Sequence, residues 1–362
     1  MVDFEKGIVN PGNPAAVRGV MTRAAAGEEV TIGFIGGSIT QGSLSSTPET
    51  CYAYLVYRWW AEKFPKVRYI NAGIGGTTSQ FGVARVEEDL LRFRPDVVFI
   101  EFSVNDSPTE QFEETYEGLV RCVLASGSAP VLIHNVCYDN GFSAEDVHLR
   151  IGKYYDIPCV SMRSTIYQKI LSGEIPNRDI TPDDLHPNDA GHALVAGVVT
   201  RLLDRIREET EAGSHPVSLP PALTRNEYEH SVRYQNHNAA PILAGFVPDP
   251  APQEHITQMF RRGFTAWKAG DSITFEIEST GIAVQYRKSV RKPAPIAKVY
   301  VDGVESPVLL DANFREDWGD CLYIDTILTH GELKRRRVEI RIAEAHENDA
   351  VPFYLVSVIG SR

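Results

Sequence analysis

Four short segments of the sequence combine the residue types that acyl-transfer chemistry requires. A serine ends Gly36-Gly37-Ser38, and Asp183 and His186 stand three residues apart in one segment. The glycine-rich residues 71–78 and the Asn-Asp pair at 105–106 supply backbone N–H groups and a neutral side-chain amide. Acyl transfer needs a nucleophile, a base, a group that orients the base, and donors for the oxyanion. The four segments contain a candidate for each of these roles.

The chemistry of each side chain predicts its role. Ser38 is the candidate nucleophile, His186 the base that takes its proton, and Asp183 the carboxylate that fixes the tautomer of the imidazole. The candidate oxyanion donors are the backbone N–H groups of Ser38 and Gly76 and the side-chain amide of Asn105. Asparagine donates without a charge that titrates, and glycine permits close approach of its backbone. We therefore predict a serine hydrolase that uses neither a metal nor a cofactor.

Each segment taken alone also has a simpler explanation. Glycine pairs often serve a tight turn, Asn-Asp often caps a helix, and Asp-x-x-His can be a surface loop. Asp184 is an alternative partner for His186. Trp59-Trp60 could form a platform for a sugar, although one core indole beside a half-buried neighbour is the simpler interpretation. We interpret His134 and His192 as satisfied structural histidines.

The first 210 residues alternate apolar runs with stretches of helical spacing. The runs are apolar throughout, which is typical of strands buried on both faces of a parallel sheet. The alternation predicts βαβ crossovers with helices on both faces of the sheet. The predicted strands are 30–35, 67–70, 96–100, 130–133 and 157–160, and the predicted helices are 51–64, 79–93, 111–126, 145–155 and 188–211. Reactive groups of such a sheet gather at the carboxyl ends of its strands, where we expect the four segments to meet.

The rest of the chain has a different pattern. Small residues and prolines in 211–221 indicate a linker. Beyond it, alternating apolar and polar residues and an Asp302-Gly303 turn predict antiparallel strands that form a smaller β-sandwich. The alternating runs are 272–278, 298–301, 321–328, 337–343 and 353–359. We divide the chain into a catalytic domain at 1–213, a linker at 214–223 and an accessory domain at 224–362.

The bulk composition narrows the classes of function. The net charge of −12 over 362 residues would repel the phosphates of nucleic acid. No run approaches the roughly 20 apolar residues of a membrane helix, and no basic start with an apolar region marks a secretory signal. The five scattered cysteines have neither disulfide-framework nor zinc-site spacing. We expect a cytoplasmic protein without nucleic-acid or membrane partners; homo-oligomerisation, and secretion after removal of a signal peptide, stay open.

The four segments, in their order, resemble the conserved blocks of the SGNH (GDSL-like) hydrolases, which are named for Ser, Gly, Asn and His. The resemblance covers about residues 30–210. It implies a flavodoxin-like three-layer α/β/α fold and the roles given above for Ser38, Gly76, Asn105, Asp183 and His186. Residues 71–79 are close to the second block, which places the donor at Gly76 rather than Gly75. The C-terminal part resembles the jelly-roll modules of carbohydrate-active esterases.

The sequence departs from the family pattern at two positions. Gly37 replaces the aspartate of Gly-Asp-Ser, and Ser103 replaces the glycine of Gly-x-Asn-Asp. Neither change removes a catalytic atom, but the first sets the chain apart from the lipase-like members. The serine motif also differs from the elbow of α/β-hydrolases, since position 40 is threonine rather than glycine.

These observations predict a carboxylester hydrolase that acts through an acyl-Ser38 intermediate and removes short acyl groups, above all acetyl, from carbohydrates. The sugar assignment depends on the appended β-sandwich and on the missing aspartate. One alternative is a lysophospholipase or thioesterase that acts on longer acyl chains. Each buried methylene would add about 0.8 kcal/mol of binding, so such an enzyme would favour long chains. Another alternative is a carbohydrate-binding protein whose SGNH domain is inert.

Overall fold

The protein is described here from a computed structural model that covers residues 2–209 and 219–362. The chain forms two compact units, Met1–Glu229 and His230–Arg362. Residues 214–218, half of the predicted linker 214–223, and the predicted boundary at residue 213 lie outside the described residues.

The first unit alternates strands with helices. Its strands are β1 (Ile8–Asn10), β2 (Val30–Gly36), β3 (Val67–Gly73), β4 (Val97–Glu101), β5 (Ala129–His134) and β6 (Cys159–Ser161). Its helices are α1 (Ala15–Ala25), α2 (Ser38–Gln41), α3 (Tyr52–Lys63), α4 (Ser79–Asp89), α5 (Glu110–Ala125), α6 (Glu145–Tyr154), α7 (Ile166–Leu171), α8 (Asn177–Ile180) and α9 (Asp189–Glu208). Short 3₁₀ turns occupy Phe4–Gly7, Pro48–Thr50 and Leu91–Phe93.

The six strands form one sheet in the order β1-β6-β5-β4-β2-β3. Five of them are parallel, and only the edge strand β1 runs antiparallel, against β6. The parallel strands follow the flavodoxin-like order, with the switch of direction between β2 and β4. All seven residues of β2 are buried, as a central strand covered on both faces requires. The predicted flavodoxin-like α/β fold is confirmed.

Helices cover both faces of this sheet. Val20 of α1, Trp60 of α3 and Leu202 of α9 pack in one apolar cluster with Ile32 and Phe34 of β2. Helices α4, α5 and α6 contact the sheet through β2, β5 and β6. Because strand side chains alternate between faces, residues 32 and 34 of β2 share one face.

The tryptophan pair belongs to the core. Trp60 is fully buried and Trp59 is only 8 % exposed. The indole N–H of Trp59 donates a hydrogen bond to Asp204 at 3.1 Å. The pair therefore presents no platform to a sugar, and Trp59 is more deeply buried than the sequence suggested.

Several element ends differ from the predicted ones. The helix predicted at 79–93 ends at Asp89 and continues only as a 3₁₀ turn, because Leu90 leaves the helical region with φ −138°. Asn188 caps α9 as predicted, accepting the N–H of Gly191, and this helix ends at Glu208. Residues 210 and 211 of its predicted range lie outside the described part.

Residues 219–229 belong to the first unit because they bind to α5. The buried carboxylate of Glu117 accepts the backbone N–H groups of Leu223 and Thr224 at 2.6 and 2.7 Å. Arg121 pairs with Glu229, with 2.6 Å between Nε and Oε2. The sequence places the start of the second domain at 224, whereas the second unit of the structure starts at His230. The division of roles between catalytic and accessory domains stays a prediction.

The second unit consists of strands alone. They are β7 (Val232–Tyr234), β8 (Ile242–Ala244), β9 (Val247–Pro248), β10 (Phe264–Ala266), β11 (Ser272–Ser279), β12 (Gly281–Lys288), β13 (Ile296–Val301), β14 (Val304–Asp311), β15 (Cys321–Leu328), β16 (Lys334–Glu344) and β17 (Phe353–Ser361). One sheet has the order β15-β12-β17-β10-β9, with β7 also paired to β17, and the other has the order β14-β13-β16-β11-β8. All their pairings are antiparallel, so the predicted β-sandwich is confirmed.

The turn predicted at Asp302-Gly303 joins β13 to β14. Both residues have positive φ, 53° and 83°, and Val301 pairs with Val304 across the hairpin. This geometry matches the two-residue hairpin that Asp-Gly favours. The core of the sandwich includes Phe353, whose ring stacks on Tyr286 with 5.7 Å between centroids.

Two further properties concern the cysteines and the helices. All five cysteines are free thiols. None of the described helices has both the length and the apolar character that crossing a membrane would require.

Removal of the Glu117 carboxylate should loosen residues 219–229. The Glu117→Ala variant leaves the N–H groups of Leu223 and Thr224 without their acceptor, which should cost about 2–4 kcal/mol. We expect faster amide hydrogen exchange at these two residues and a lower unfolding midpoint. Glu87→Ala, an exposed position on α4, is the matched control and should change neither. Unchanged exchange in Glu117→Ala would contradict this account.

Candidate active site

Ser38 stands at the first position of α2, directly after the central strand β2. Gly37 precedes the helix with extended backbone, and Gly42 ends it with φ 102°. The first N–H groups of a helix have no intrahelical partner, so the amide of Ser38 is available to an external acceptor. The Ser38 hydroxyl oxygen lies 2.8 Å from Nε2 of His186.

Asp183 holds the other side of the imidazole. Its Oδ2 lies 2.6 Å from Nδ1 of His186, and its Oδ1 accepts the backbone N–H groups of His186 at 2.7 Å and Leu185 at 3.1 Å. With Nδ1–H donating to the carboxylate, Nε2 is left to accept the hydroxyl proton of Ser38. The structure thus brings the three predicted residues together in one hydrogen-bonded chain.

The charge state of Asp183 suits this arrangement. Burial is the strongest single influence and raises the pKa of its carboxyl. The hydrogen bonds from the His186 ring and from the N–H groups of His186 and Leu185 together lower this pKa by more than burial raises it. The net pKa lies below the ordinary value for aspartate. Asp183 therefore carries a negative charge at neutral pH.

The carboxylate of Asp184 bonds to residues of α8. Its two carboxylate oxygens accept from Nδ2 of Asn177 at 2.5 Å and from the guanidinium of Arg178 at 2.7 Å. Its carbonyl accepts the N–H of Tyr138 at 2.7 Å. These bonds hold the loop in place, while Asp183 is the carboxylate that bonds to His186.

Asp189 joins the start of α9 to the chain between α2 and α3, a contact that the sequence does not reveal. Its carboxylate accepts the N–H and hydroxyl of Ser46 at 2.8 and 2.6 Å and the hydroxyl of Thr50 at 2.7 Å. These hydrogen bonds, above all that from the Ser46 hydroxyl, lower the pKa of Asp189 to about 2. Asp189 is the first residue of α9, which begins just after His186. In sequence it appears only as an acid at a helix start.

Gly75 and Gly76, in the loop after β3, differ in the hydrogen bonding of their N–H groups. The N–H of Gly75 donates to Oε1 of Gln41 at 2.6 Å, so it is already used. The N–H of Gly76 has no acceptor among the described residues, and Gly76 has φ 67°, a conformation that glycine adopts without strain. A Cβ built at Gly75 would lie 3.4 Å from Cβ of Ser38, which puts this loop beside the nucleophile. The choice of Gly76 as oxyanion donor stays a prediction.

Asn105 follows β4 on the other side of the nucleophile. Its backbone N–H donates to the carbonyl of Phe102 at 3.0 Å, and its side-chain amide lies against Gly37, the neighbour of Ser38. The structure therefore places Ser38, Gly76 and Asn105 just beyond the carboxyl ends of three neighbouring strands.

Comparison with known proteins agrees with this geometry. The sequence pattern of the GDSL-like lipase/acylhydrolase family matches residues 34–194. A crystal structure of a two-domain esterase active on acetylated mannans is 57% identical, covers 100% of this chain and 99% of its own, and superposes with a TM-score of 0.97. The chain belongs to the GDSL-like lipase/acylhydrolase family. The predicted SGNH resemblance and the predicted esterase class are confirmed.

Two other relatives extend this comparison. A structure of the two-domain mannan esterase co-crystallized with mannopentaose is also 57% identical, covers 100% of this chain and 98% of its own, and has a TM-score of 0.96. Thioesterase 1/protease 1/lysophospholipase L1 of Escherichia coli (strain K12) is 29% identical over 176 residues, which are 44% of this chain and 81% of that protein.

A buried carboxyl group lies beneath the active-site turn of this GDSL-like esterase. Glu101 ends β4, is fully buried, and accepts the hydroxyl groups of Thr40 and Ser103, each at 3.3 Å. Thr40 belongs to α2 and also hydrogen-bonds to the Tyr52 hydroxyl at 2.8 Å. Burial raises the pKa of Glu101 to about 7, although the hydrogen bonds from Ser103 and Thr40 oppose the rise.

Asp106, the residue next to Asn105, is held by contacts with two helices. Its carboxyl group accepts the N–H of Ser79 at the start of α4 at 2.9 Å and lies 3.1 Å from Nε2 of His148, whose ring stacks on Tyr116 at 3.6 Å between centroids. Burial raises the pKa of Asp106 to about 8 and lowers that of His148 to about 3. The pair is thus favoured in its uncharged form, as a buried location requires.

His134 and His192 lie in the interior. Burial lowers the pKa of His134 well below its ordinary value and that of His192 to about 4. Nδ1 of His192 accepts the N–H of Tyr52 at 3.3 Å, as expected for a structural histidine. Neither ring nitrogen of His134 has a hydrogen-bond partner within the described chain. This histidine is therefore buried, but the prediction that its hydrogen bonds are satisfied is wrong.

The raised pKa of Glu101 predicts a pH-dependent stability. The folded protein keeps this proton up to about pH 7, whereas the unfolded chain releases it near the ordinary value of 4.5. The contribution of Glu101 to stability is therefore complete below about pH 4.5 and is lost as the pH rises through about 7. Glu101→Gln cannot titrate, so urea unfolding should show the wild type losing stability relative to this variant between about pH 4.5 and about pH 7. Parallel pH profiles would contradict the assignment.

Proposed function

We propose that this GDSL-like esterase removes acetyl groups from acetylated manno-oligosaccharides. The observation that carries the proposal is the 57% identity, over both units, to a two-domain esterase active on acetylated mannans. The related structure with mannopentaose supports an oligosaccharide as the substrate. The sequence alone favours an acetylated carbohydrate without specifying the sugar.

The hydrogen-bonded chain supports a two-step mechanism. The Ser38 oxygen attacks the acetyl carbonyl carbon while Nε2 of His186 takes the hydroxyl proton. The tetrahedral intermediate collapses when the bond to the sugar oxygen breaks, and His186 gives its proton to that oxygen. Water then attacks the acetyl-Ser38 carbonyl with His186 again as base, and acetate leaves as Ser38 regains its proton.

Asp183 and the N–H donors would stabilise the charges of these steps. The ionised Asp183, 2.6 Å from Nδ1, would stabilise the imidazolium and fix its tautomer. The developing oxyanion would accept the backbone N–H groups of Ser38 and Gly76 and the side-chain N–H of Asn105. Water attack needs no further protein group, because the same imidazole serves both steps.

Hydrolysis of longer acyl chains is the second candidate function. The similarity of part of the chain to a thioesterase and lysophospholipase supports it. That similarity covers 44% of this chain, however, whereas the mannan esterase matches the whole of it. An inert scaffold is disfavoured, since Ser38, His186 and Asp183 retain hydrogen-bonding distances suited to catalysis.

The cellular location and assembly of the protein stay predictions. The five free thiols support a cytoplasmic location, since reducing compartments keep cysteines unpaired. The net charge of −12 supports the expectation that nucleic acid is not a partner.

A matched pair of variants tests which aspartate orients His186. Asp183→Asn removes the carboxylate from Nδ1 and favours the wrong tautomer, so kcat should fall by roughly 10²–10⁴-fold. Asp184→Asn keeps a residue type that tolerates the positive φ of 69° at this position and should stay within several-fold of wild type. Steady-state kinetics on an aryl acetate measure both. Equal losses in the two variants would contradict the assignment of Asp183.

The substrate is tested by release of acetate. Acetylated manno-oligosaccharides should lose acetate with the wild type and keep it with Ser38→Ala, while acetylated xylo-oligosaccharides give the comparison. A series of aryl esters of increasing chain length should show the highest kcat/KM at two carbons. A preference for eight carbons or more, with no acetate released from the sugars, would replace this proposal by the long-chain alternative.

A further inference from the structure

Gly37, where the family pattern has aspartate, does not serve an unusual backbone conformation. Its φ of −86° and ψ of −151° describe extended backbone that other residues can adopt. The neighbouring Gly42 and Gly76 differ in this respect, since both have positive φ. The reason for glycine at position 37 must therefore lie in the space around its α-carbon.

That space is filled by the side chain of Asn105. A Cβ added to Gly37 would lie 2.3 Å from Oδ1 of Asn105 and 3.1 Å from its Cγ. The first distance is far shorter than a van der Waals contact, and the three nearest heavy atoms all belong to the Asn105 amide. Any side chain at position 37 would thus have to displace the amide of Asn105.

No hydrogen bond locates the amide oxygen of Asn105. Oδ1 is buried and has no hydrogen-bond partner among the described residues. Polar atoms in this state are normally positioned by a donor. In this protein, contact with the bare α-carbon of Gly37 limits where the oxygen can lie.

The backbone of Asn105 cannot easily move to make room. The N–H groups of Asn105 and Asp106 both donate to the carbonyl of Phe102, at 3.0 and 2.9 Å. The buried Asp106 carboxyl is bound to Ser79 and His148. A clash at position 37 would therefore be relieved by rotation of the Asn105 side chain rather than by a shift of its loop.

We infer that Gly37 is a positioning residue for Asn105: the absence of a side chain at 37 sets the amide in the orientation that donates to the oxyanion. The inference rests on the proposed function of Asn105. The aspartate of the family pattern could not stand at position 37 without moving this amide. Glycine at position 37 thus serves the placement of the oxyanion donor rather than the backbone conformation of the turn.

Gly37→Ala should act on the chemical step. We expect kcat on an aryl acetate to fall by roughly 10–100-fold, with KM changed by less than about threefold, because one oxyanion donor is misplaced. Asn105→Ala should lower kcat by roughly 10²–10³-fold. The double variant should be no slower than Asn105→Ala alone by more than about twofold, since residues that act through one group are not additive. Gly19→Ala, on α1 with open space around it, is the control and should retain wild-type kinetics.

The outcomes separate this inference from the function on which it rests. A slow Asn105→Ala together with a wild-type Gly37→Ala, or full additivity in the double variant, would overturn the positioning role and leave the esterase proposal intact. A wild-type rate in Asn105→Ala would instead remove Asn105 from the oxyanion site and the inference with it.

Thermal unfolding keeps the test decisive if Gly37→Ala is poorly folded. Truncation of Asn105 removes the atoms that a Cβ at position 37 would meet. The loss of unfolding temperature caused by Gly37→Ala should therefore be smaller in the Asn105→Ala background than in the wild type. An equal loss in both backgrounds would show that the two side chains do not compete for space and would overturn the inference.

Discussion

The active site depends on one hydrogen-bonded chain that joins residues 148 positions apart in sequence. Nε2 of His186 lies 2.8 Å from the Ser38 hydroxyl oxygen, and Asp183 lies 2.6 Å from the opposite ring nitrogen. A base can take a proton only from a group within hydrogen-bond reach, so an error of about one ångström in either loop would impair the reaction. The sheet brings the loops close, and the bonds of Asp189 to Ser46 and Thr50 hold the two segments together.

The interior beneath this site is polar, which distinguishes it from an ordinary sheet core. Glu101 and Asp106, at and just after the end of β4, and His148, on α6, are fully buried. The raised pKa values of Glu101 and Asp106 favour the neutral forms of these two carboxyl groups. The bond of Glu101 to Thr40 and the bond of Asp106 to Ser79 fix the two segments that carry Ser38 and Asn105. Buried polar groups of this kind are costly unless they are satisfied, but they specify one arrangement of the loops.

The sequence predicted the elements whose burial pattern is strong. The apolar run of β2 and the alternation in β11 marked a parallel sheet and a sandwich, because burial on two faces or on one leaves a local pattern. It did not predict β1 or α1, whose short or weakly patterned segments take their structure from neighbours. The roles of Asp189 and Gly37 could not be predicted either, since each depends on contacts with residues distant in sequence.

The glycines around Ser38 show why a motif alone does not reveal what each position does. Gly76 has a positive φ that side chains disfavour, so its role concerns the backbone. Gly37 has an ordinary backbone, and its role concerns the space that the Asn105 amide occupies. Replacing aspartate by glycine would seem to remove a functional group from the family pattern. In this chain the same replacement leaves room for one, because the Asn105 amide lies where a Cβ at position 37 would stand.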